Sequence, residues 1–185
     1  MFNEKEVVSS ILKGNMQAFE LLVKQYERLV FFVVNRLISN REDMEDICQE
    51  VFVKVHKSLH NFAFQSKLST WIARIAYLTA INHLRKNKTE RITHYPDDIE
   101  NFHFTYDTPE LTLTRKNTAE YVNLLIAQMP VQYRTVLTLY HLNEFSYQEI
   151  EEITGIPESN IKSHLFRGRK WLKEKIQQDL KDEQL

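Results

Sequence analysis

Residues 158–176 carry a row of hydrogen-bond donors, spaced so that they would align along one side of an α-helix. On a helical wheel drawn at about 100° per residue, one contiguous arc holds four polar residues and one aromatic residue, namely Lys162, Ser163, Phe166, Arg167 and Lys170. A separate, narrow arc holds the apolar residues Ile161, Leu165, Leu172 and Ile176, with Gly168 beside them. Such a helix could pack by its apolar arc and read base edges in a DNA major groove with the other.

The segment before this helix has the spacing of a helix-turn-helix motif. A short helix with an acidic, apolar-periodic pattern is predicted from Tyr147 to Thr154, and Gly155-Ile156-Pro157 follows as the turn. Glycine tolerates the left-handed backbone at a helix end, and proline suits the start of the next helix. The alternative is an ordinary amphipathic helix with a solvated charged face. The short helix and the turn favour the DNA-binding interpretation.

A second basic segment, residues 60–88, mixes aromatic side chains with cations and amides. Its members are Phe62, Phe64, Trp71, Tyr77, Lys67, Arg74, Arg85, Lys86, Lys88, Asn61 and Asn82. Aromatic faces stack on bases that leave a duplex, while Lys and Arg hold the backbone, so the mix would suit partly melted nucleic acid. Two alternatives stay open: Trp71 has the helical spacing of a core residue, and Phe62 and Phe64 could be loop anchors packed inward.

Acidic residues are concentrated in two other segments. Five acids and no base lie between residues 42 and 50, and the same holds between residues 97 and 110. Acids near the start of a helix favour the helix dipole, which would explain the first segment without any partner. The alternative is a protein-docking ridge formed by Asp46, Gln49, Glu50 and Lys54.

The composition is that of a helical protein without a membrane span. The chain has 185 residues, a net charge of −1, 43% hydrophobic residues, three Gly and four Pro. No apolar run approaches the ~20 residues of a transmembrane helix, and the N-terminus lacks the basic-then-apolar layout of a signal peptide. The single cysteine, Cys48, excludes an internal disulfide framework and fits a reducing compartment, so we expect a cytoplasmic protein.

Helical periodicity divides the chain into two domains and a linker. Helices are predicted over residues 5–13, 16–38, 43–59, 70–87, 111–129 and 131–142, in addition to the helix-turn-helix. Ser69 is the predicted N-cap of the fourth helix. Between the fourth and fifth helices periodicity is lost and acids dominate. The expected fold class is therefore all-α: two small helical domains, 5–88 and 111–178, joined by an extended acidic linker, 89–110, with the helix-turn-helix in the second domain.

Residue patterns typical of enzymes and metal sites are lacking in the sequence. His56 and His60 lie four apart on a predicted helix, but no Glu or Cys nearby in the sequence completes a metal site, so we interpret them as surface residues. Three glycines cannot build a nucleotide-binding loop. We therefore expect a protein that is not an enzyme and has neither a metal nor a cofactor.

Two long segments resemble a known family. The segment DICQEVFVKVHKSLHNF followed by STWIARIAYLTAINHLRK resembles region 2 of the extracytoplasmic-function (ECF) sigma factors of bacterial RNA polymerase. The segment MPVQYRTVLTLYHLNEFSYQEIEEITGIPESNIKSHLFRGRKWLKE resembles their region 4. The resemblance covers roughly residues 8–90 and 111–176, in the right order and with the right linker length. It implies a protein that binds core RNA polymerase and directs it to promoters, with no chemistry of its own.

The resemblance also implies a role for each segment. The acidic helix, with Asp46, Gln49, Glu50 and Lys54, would dock on the clamp of the largest core subunit, and the flap of the second subunit would be a further contact. The −10 element would be recognised by Phe64, Lys67, Ser69, Thr70, Arg74, Leu78, Asn82 and Arg85. The −35 element would be recognised by Ser159, Asn160, Lys162, Ser163, Phe166, Arg167, Arg169 and Lys170, with Arg169 and Lys170 near phosphates. The acidic linker would thread toward the RNA exit path.

Three positions depart from the family pattern. Leu78 lies where many members have Asn, in the helix that lines the base pocket, and Cys48 replaces an aliphatic residue and is expected to be a small buried hydrophobe. Glu151 lies where a small apolar residue is usual, so its side chain must reach solvent or the helix packing must shift.

Two functional hypotheses are considered, and they differ in the partners that the protein would need. Family members are usually held inactive by an anti-sigma factor, often membrane-bound, so the resemblance implies such a partner besides core polymerase and promoter DNA. The competing hypothesis is a helix-turn-helix regulator that binds duplex DNA alone, usually as a dimer on paired half-sites. Residues 43–88 favour the sigma factor, because a simple regulator has no need of them.

Overall fold

The structure, a computed structural model, describes residues 3–89 and 118–182, and within these two ranges all regular secondary structure is helical. We number the α-helices in chain order. They are α1 (Glu4–Leu12), α2 (Met16–Asn35), α3 (Arg41–Ser58), α4 (Leu68–Thr89), α5 (Thr118–Gln128), α6 (Val131–His141), α7 (Tyr147–Thr154) and α8 (Glu158–Asp182). A 3-10 turn, Leu59–Asn61, follows α3. The all-α prediction is confirmed. In the described ranges, no helix has the length and apolar character needed to cross a membrane.

Most predicted helix boundaries lie within a few residues of the observed ones, and the prediction for α4 is wrong in one respect. Ser69 was the expected N-cap, but α4 begins at Leu68, so Ser69 lies in the first turn. Residues 90–110 of the predicted linker, and the start of the helix predicted from Leu111, lie outside the described residues.

The described helices separate into two compact units, and the first contains α1–α4 together with Glu151–Gly155 at the end of α7. Helices α2, α3 and α4 pack against one another in all three pairings, and α1 packs on α2. The core includes Leu22, Val30, Val34, Ile47, Val51 and Val55 on the apolar faces that the periodicity predicts for α2 and α3, and Leu68, Ile72 and Ala76 of α4 complete it. Gly14 adopts a φ of 90° in the tight turn between α1 and α2, a conformation that glycine reaches without steric cost.

The second unit contains α5, α6, α8 and the start of α7. Helix α8 packs mainly on α6, and Gly168 marks their close approach: a Cβ at that position would lie 3.4 Å from Cβ of Tyr133 and 3.5 Å from Cδ1 of Leu137. Arg134 of α6 is buried and donates from Nη1 to the carbonyl oxygen of Ala127, 2.6 Å away in the last turn of α5. This bond satisfies a helix-end carbonyl that lacks an intrahelical partner.

Candidate nucleic-acid interface

The predicted helix-turn-helix forms α7, the turn and α8. Helix α7 begins with a reciprocal capping box: the Ser146 amide donates to Oε2 of Glu149 at 2.8 Å, and the Glu149 amide donates to Oγ of Ser146 at 3.3 Å. Gly155 ends the helix with a φ of 76°, as the turn predicted. These local features fix where α8 starts.

Helix α8 divides into a buried side and an exposed side. Ile161, Leu165 and Gly168 are buried, while Leu172 and Ile176 are half-buried further along the same seam. All eight residues predicted to contact the −35 element are exposed; they are Ser159, Asn160, Lys162, Ser163, Phe166, Arg167, Arg169 and Lys170. Phe166 is 69% exposed, a large apolar surface to leave in water on an otherwise polar face.

Lys162 lies where the exposed side of α8 meets α7. Its Nζ is 2.7 Å from Oε1 of Glu158, one turn earlier, and 5.4 Å from the centre of the Tyr147 ring. The hydrogen bond with Glu158 and its negative charge raise the pKa of Lys162, which therefore stays protonated. Oγ of the next residue, Ser163, donates to the carbonyl oxygen of Ser159 at 3.2 Å.

The rings of Tyr140 and Tyr147 join α6 to α7 beside this face. They stack with centroids 5.1 Å apart and planes 26° apart. Arg169 lies against the other end of the stack, with Cζ 5.8 Å from the centre of the Tyr140 ring, and its Nε donates to Nε2 of His141 at 3.2 Å. Burial, and then the charge of Arg169, lower the pKa of His141, which favours the neutral imidazole that can accept this bond.

The sequence did not predict a role for Tyr140, His141 or Tyr147. Helical periodicity placed the two tyrosines on separate helices, and their stacking depends on the path of the loop 142–146. The sequence signal that could have indicated this stacking was one aromatic residue in the last turn of a helix and another in the first turn of the next helix, separated by a short loop.

Helix α4 presents a second exposed cationic stripe. Five of the residues predicted to contact the −10 element are exposed along it or just before it: Lys67, Arg74, Leu78, Asn82 and Arg85. Ser69 is half-buried. Thr70 is fully buried, so its side chain does not lie on this surface, and its inclusion among the DNA-contacting residues is corrected.

The loop before α4 turns one of its two phenylalanines outward. Phe62 is buried between its neighbours, with ring centroids 4.6 Å from Phe64 and 5.2 Å from Trp71. Phe64 is 41% exposed and has a φ of 56°, a left-handed conformation that is uncommon for a bulky residue. The sequence left open whether this pair packs inward or faces solvent. In the structure Phe62 packs inward and Phe64 faces solvent. Tyr77 is core, and burial raises the pKa of its hydroxyl.

The predicted ridge on α3 is exposed at Asp46, Gln49 and Glu50. Lys54 is only half-exposed, because its Nζ contacts Oε1 of Glu50 at 2.8 Å and donates to Oγ1 of Thr79 on α4 at 3.2 Å. It therefore links two helices of the unit. Val53, which the sequence did not single out, is 50% exposed and adds an apolar centre to the ridge.

The remaining sequence-based predictions have mixed outcomes. Glu151 was expected either to reach solvent or to shift the helix packing. Its side chain is exposed, so it reaches solvent. Cys48 is half-buried and not fully buried as predicted; burial, and then the nearby Glu45 carboxylate, raise the pKa of its thiol. His56 is exposed and its ring lies 4.8 Å from that of Phe19. Among residues 3–89 and 118–182, no cluster of three or more potential metal ligands occurs.

Two compact helical units with exposed cationic faces, together with a helix-turn-helix, define a helical DNA-binding protein. The family comparisons are more specific. Residues 22–90 match the model for sigma-70 region 2, and residues 119–172 match the model for sigma-70 region 4.

Similarity to curated proteins extends over nearly the whole chain. The chain is 33% identical to the ECF RNA polymerase sigma-E factor of Haemophilus influenzae, covering 94% of this chain and 95% of that protein. It is 30% identical to the ECF RNA polymerase sigma factor SigW of Bacillus subtilis (93% and 96%) and 29% identical to the RNA polymerase sigma-H factor of Pseudomonas aeruginosa (97% and 96%).

Solved structures share the fold. The sigma factor RpoE, co-crystallised with the anti-sigma factor NepR from Bartonella quintana, superimposes with a TM-score of 0.66 at 19% identity, covering 86% of this chain and 96% of that one. CnrH, solved in complex with the cytosolic domain of CnrY, gives 0.65 at 17% identity, covering 94% and 96%.

The chain belongs to the family of ECF sigma factors. It is therefore an RNA polymerase sigma factor that directs promoter-specific transcription, with core polymerase and promoter DNA as its partners. Such factors are initiation factors and not enzymes, since phosphodiester synthesis belongs to the polymerase.

Proposed function

We propose that α8 reads the −35 element of the promoter in the major groove, as part of the domain formed by residues 111–178. The observation that carries this is the shape of α8: its apolar seam is buried while all eight predicted contact residues are exposed together. A helix that projects from a helix-turn-helix with polar donors along its free side has the form needed for base readout. Arg167 is a donor for base edges on this free side, Ser163 adds a hydroxyl oxygen, and Phe166 can contact a thymine methyl.

The domain formed by residues 5–88 contacts the −10 element, through α4 and the loop before it. The exposed stripe of Arg74, Leu78, Asn82 and Arg85 supplies cations for the backbone of the non-template strand. Phe64 presents an aromatic face to solvent from a strained backbone, which suits stacking on an unpaired base. Leu78 offers an apolar contact where many relatives have an amide, so the base preference of this factor differs there.

The exposed ridge of α3 is the contact for the clamp of the largest core subunit. The carboxylates of Asp46 and Glu50 and the amide of Gln49 provide a polar surround for the exposed Val53, a combination typical of a protein interface. The C-terminal domain makes the second core contact, with the flap of the second subunit, and the acidic linker, residues 89–110, threads toward the RNA exit path. The factor acts in the cytoplasm, where the polymerase is.

An anti-sigma factor is a further partner, and many members have a membrane-bound one. A solved structure of this fold supports the proposal, since RpoE was crystallised with the anti-sigma factor NepR from Bartonella quintana. Binding to the same exposed faces that core polymerase uses would hold this factor inactive.

In vitro transcription over a promoter library tests the assignment of the two elements. Core polymerase free of other sigma factors is reconstituted with the full chain, and start sites are mapped. We expect a discrete promoter class in which scrambling either hexamer abolishes initiation. A chain that binds duplex operators tightly by itself, and neither copurifies with core nor changes start sites, would be an independent helix-turn-helix regulator.

A further inference from the structure

Two cations of the exposed face of α8 are held by a stack of aromatic rings from outside that helix. Lys162 lies over Tyr147 at 5.4 Å and Arg169 lies over Tyr140 at 5.8 Å, while the two rings stack on each other at 5.1 Å. The order in space is therefore cation, ring, ring, cation.

The positions of the two cations on α8 place both of them beside the stacked rings. They are seven residues apart, which is nearly two turns, so they lie about 20° apart around α8 and ~10 Å apart along it. On the helical wheel they lie at the edge of the exposed arc nearest the buried seam, beside α6 and α7. Ser163, Arg167 and Lys170 lie further round, at the middle and far side of the arc.

Long cationic side chains lose considerable rotamer freedom when they are fixed in one place. A cation held over an aromatic face has already lost part of that freedom before any ligand arrives. Arg169 is restrained further, because its Nε and Nη2 both lie within 3.2 Å of Nε2 of His141. Glu158 restrains Lys162 in the same way at 2.7 Å.

We propose that Tyr140 and Tyr147 are positioning residues that hold Lys162 and Arg169 as a preformed pair of contacts for backbone phosphates along one edge of the DNA groove. The proposal rests on the proposed binding of α8 to the −35 element, and it moves Lys162 from the base-reading residues to the phosphate contacts. Phosphates are the expected ligands because Lys162 and Arg169 lie at the edge of the exposed face of α8. A side chain at that edge lies closer to the DNA backbone than to the base edges in the groove. Contacts to the backbone set register and orientation without carrying sequence information.

The salt dependence of promoter binding is the measurement that isolates this role. Each phosphate neutralised on duplex DNA contributes about 0.9 to the slope of log K against log salt concentration. Binding of the full chain in complex with core polymerase to a fluorescent promoter duplex is measured over a range of KCl concentrations. Three double variants are compared with wild type: Y140F/Y147F, Y140L/Y147L and K162Q/R169Q.

We expect K162Q/R169Q to lower the magnitude of the slope by about 2. The Y140L/Y147L variant, which keeps both charges, is expected to lower it by about 1 to 2, and Y140F/Y147F, which keeps both rings, to leave it unchanged. Discrimination between −35 sequences stays at the wild-type level in all three. Misfolding of the leucine variant would reduce the active fraction and not the slope, and circular dichroism with core binding checks for it.

A combined variant, Y140L/Y147L/K162Q/R169Q, completes the test. If the rings act through the cations, its slope equals that of K162Q/R169Q. The proposal is overturned by a wild-type slope in Y140L/Y147L, or by losses that simply add in the combined variant. If α8 does not bind the −35 element at all, the result is different: wild-type binding would then be insensitive to scrambling of the −35 hexamer.

Discussion

Arg169 of α8 donates from Nε to Nε2 of His141, the last residue of α6, across 3.2 Å, and its Nη2 lies 3.0 Å from the same nitrogen. Only the neutral imidazole has a lone pair to accept these bonds. A protonated ring would instead place a second positive charge against the guanidinium. The contact therefore links the position of an exposed side chain of α8 to the protonation state of a histidine.

This link predicts a pH-dependent contribution to stability. Because the pKa of His141 is lower in the folded protein than in the unfolded chain, the unfolded chain binds the proton more readily. The contribution is thus fully present above about pH 6.5, the ordinary pKa of histidine, and is lost as the pH falls through the folded value. We expect the melting temperature of the wild type to drop more between pH 7.5 and 5.5 than that of His141→Gln, which keeps an acceptor. Parallel pH profiles for the two proteins would contradict this.

Substitution of Arg167 is predicted to relax promoter discrimination. Arg167 is exposed on the donor arc of α8, on the side away from Lys162 and Arg169, and a bidentate contact of such a side chain with a base is worth about 1–3 kcal/mol. We expect Arg167→Ala to reduce the preference for the intact −35 hexamer by about 5- to 150-fold, measured by transcription from promoters substituted at single −35 positions. The matched control is Arg169→Gln, which should weaken all promoters alike and lower the salt slope by about 1. An unchanged promoter profile for Arg167→Ala would contradict the proposal that Arg167 contacts bases in the major groove.

Gly168 is predicted to tolerate alanine but not a branched side chain. A Cβ there would meet Tyr133 at 3.4 Å and Leu137 and Met129 at 3.5 Å, which are ordinary contact distances. Alanine also has the higher helix propensity, by about 1 kcal/mol. We expect Gly168→Ala to keep or slightly raise the free energy of unfolding in urea, and Gly168→Val to lower it by about 1–3 kcal/mol through overpacking between α6 and α8. Equal stabilities for the two variants would show that the helices are not in close contact.

Two neighbouring charges on α3 are predicted to differ in their effect on core binding. Asp46 belongs to the ridge with Val53, whereas Glu45 is turned about 100° away and pairs with Arg41 at 3.0 Å. Asp46→Lys should weaken binding to core polymerase by about tenfold or more, since misplaced like charges at an interface cost several kcal/mol. Glu45→Lys makes the same change in net charge and should leave the affinity nearly unchanged. Titration of labelled core enzyme measures both, and equal losses would point to a long-range charge effect instead of a docking ridge.

The sequence-based assignment of Lys54 to the ridge was incomplete, and the structure shows why. The sequence placed it with Asp46 and Glu50 because the spacing puts all of them along one side of a helix. In the fold its Nζ is directed at Thr79 of α4, so it contributes to helix packing as well. Sequence spacing gives the direction of a residue around its own helix, but not which neighbouring helix lies there.

Thr70 was misassigned for a related reason. Helix α4 packs against both α2 and α3, so its buried surface is broad and includes Leu68, Thr70, Ile72, Ala73, Ala76, Tyr77, Thr79, Ala80 and Ile81. A helix apolar over most of its circumference has a weak periodic pattern. The side on which a small polar residue such as Thr70 lies is then decided by packing.

The sequence by itself determined the helices, the position of the helix-turn-helix and the exposed face of α8, because these depend on interactions within about ten residues: apolar spacing, the Gly155 turn and the capping box of Ser146 and Glu149. Only the tertiary structure brought Tyr140, Tyr147, Lys162 and Arg169 together, since their contact requires three helices to meet at particular angles. Those angles result from burying the apolar faces of α6 and α8 against each other, and they are a property of the whole packed unit rather than of any local segment.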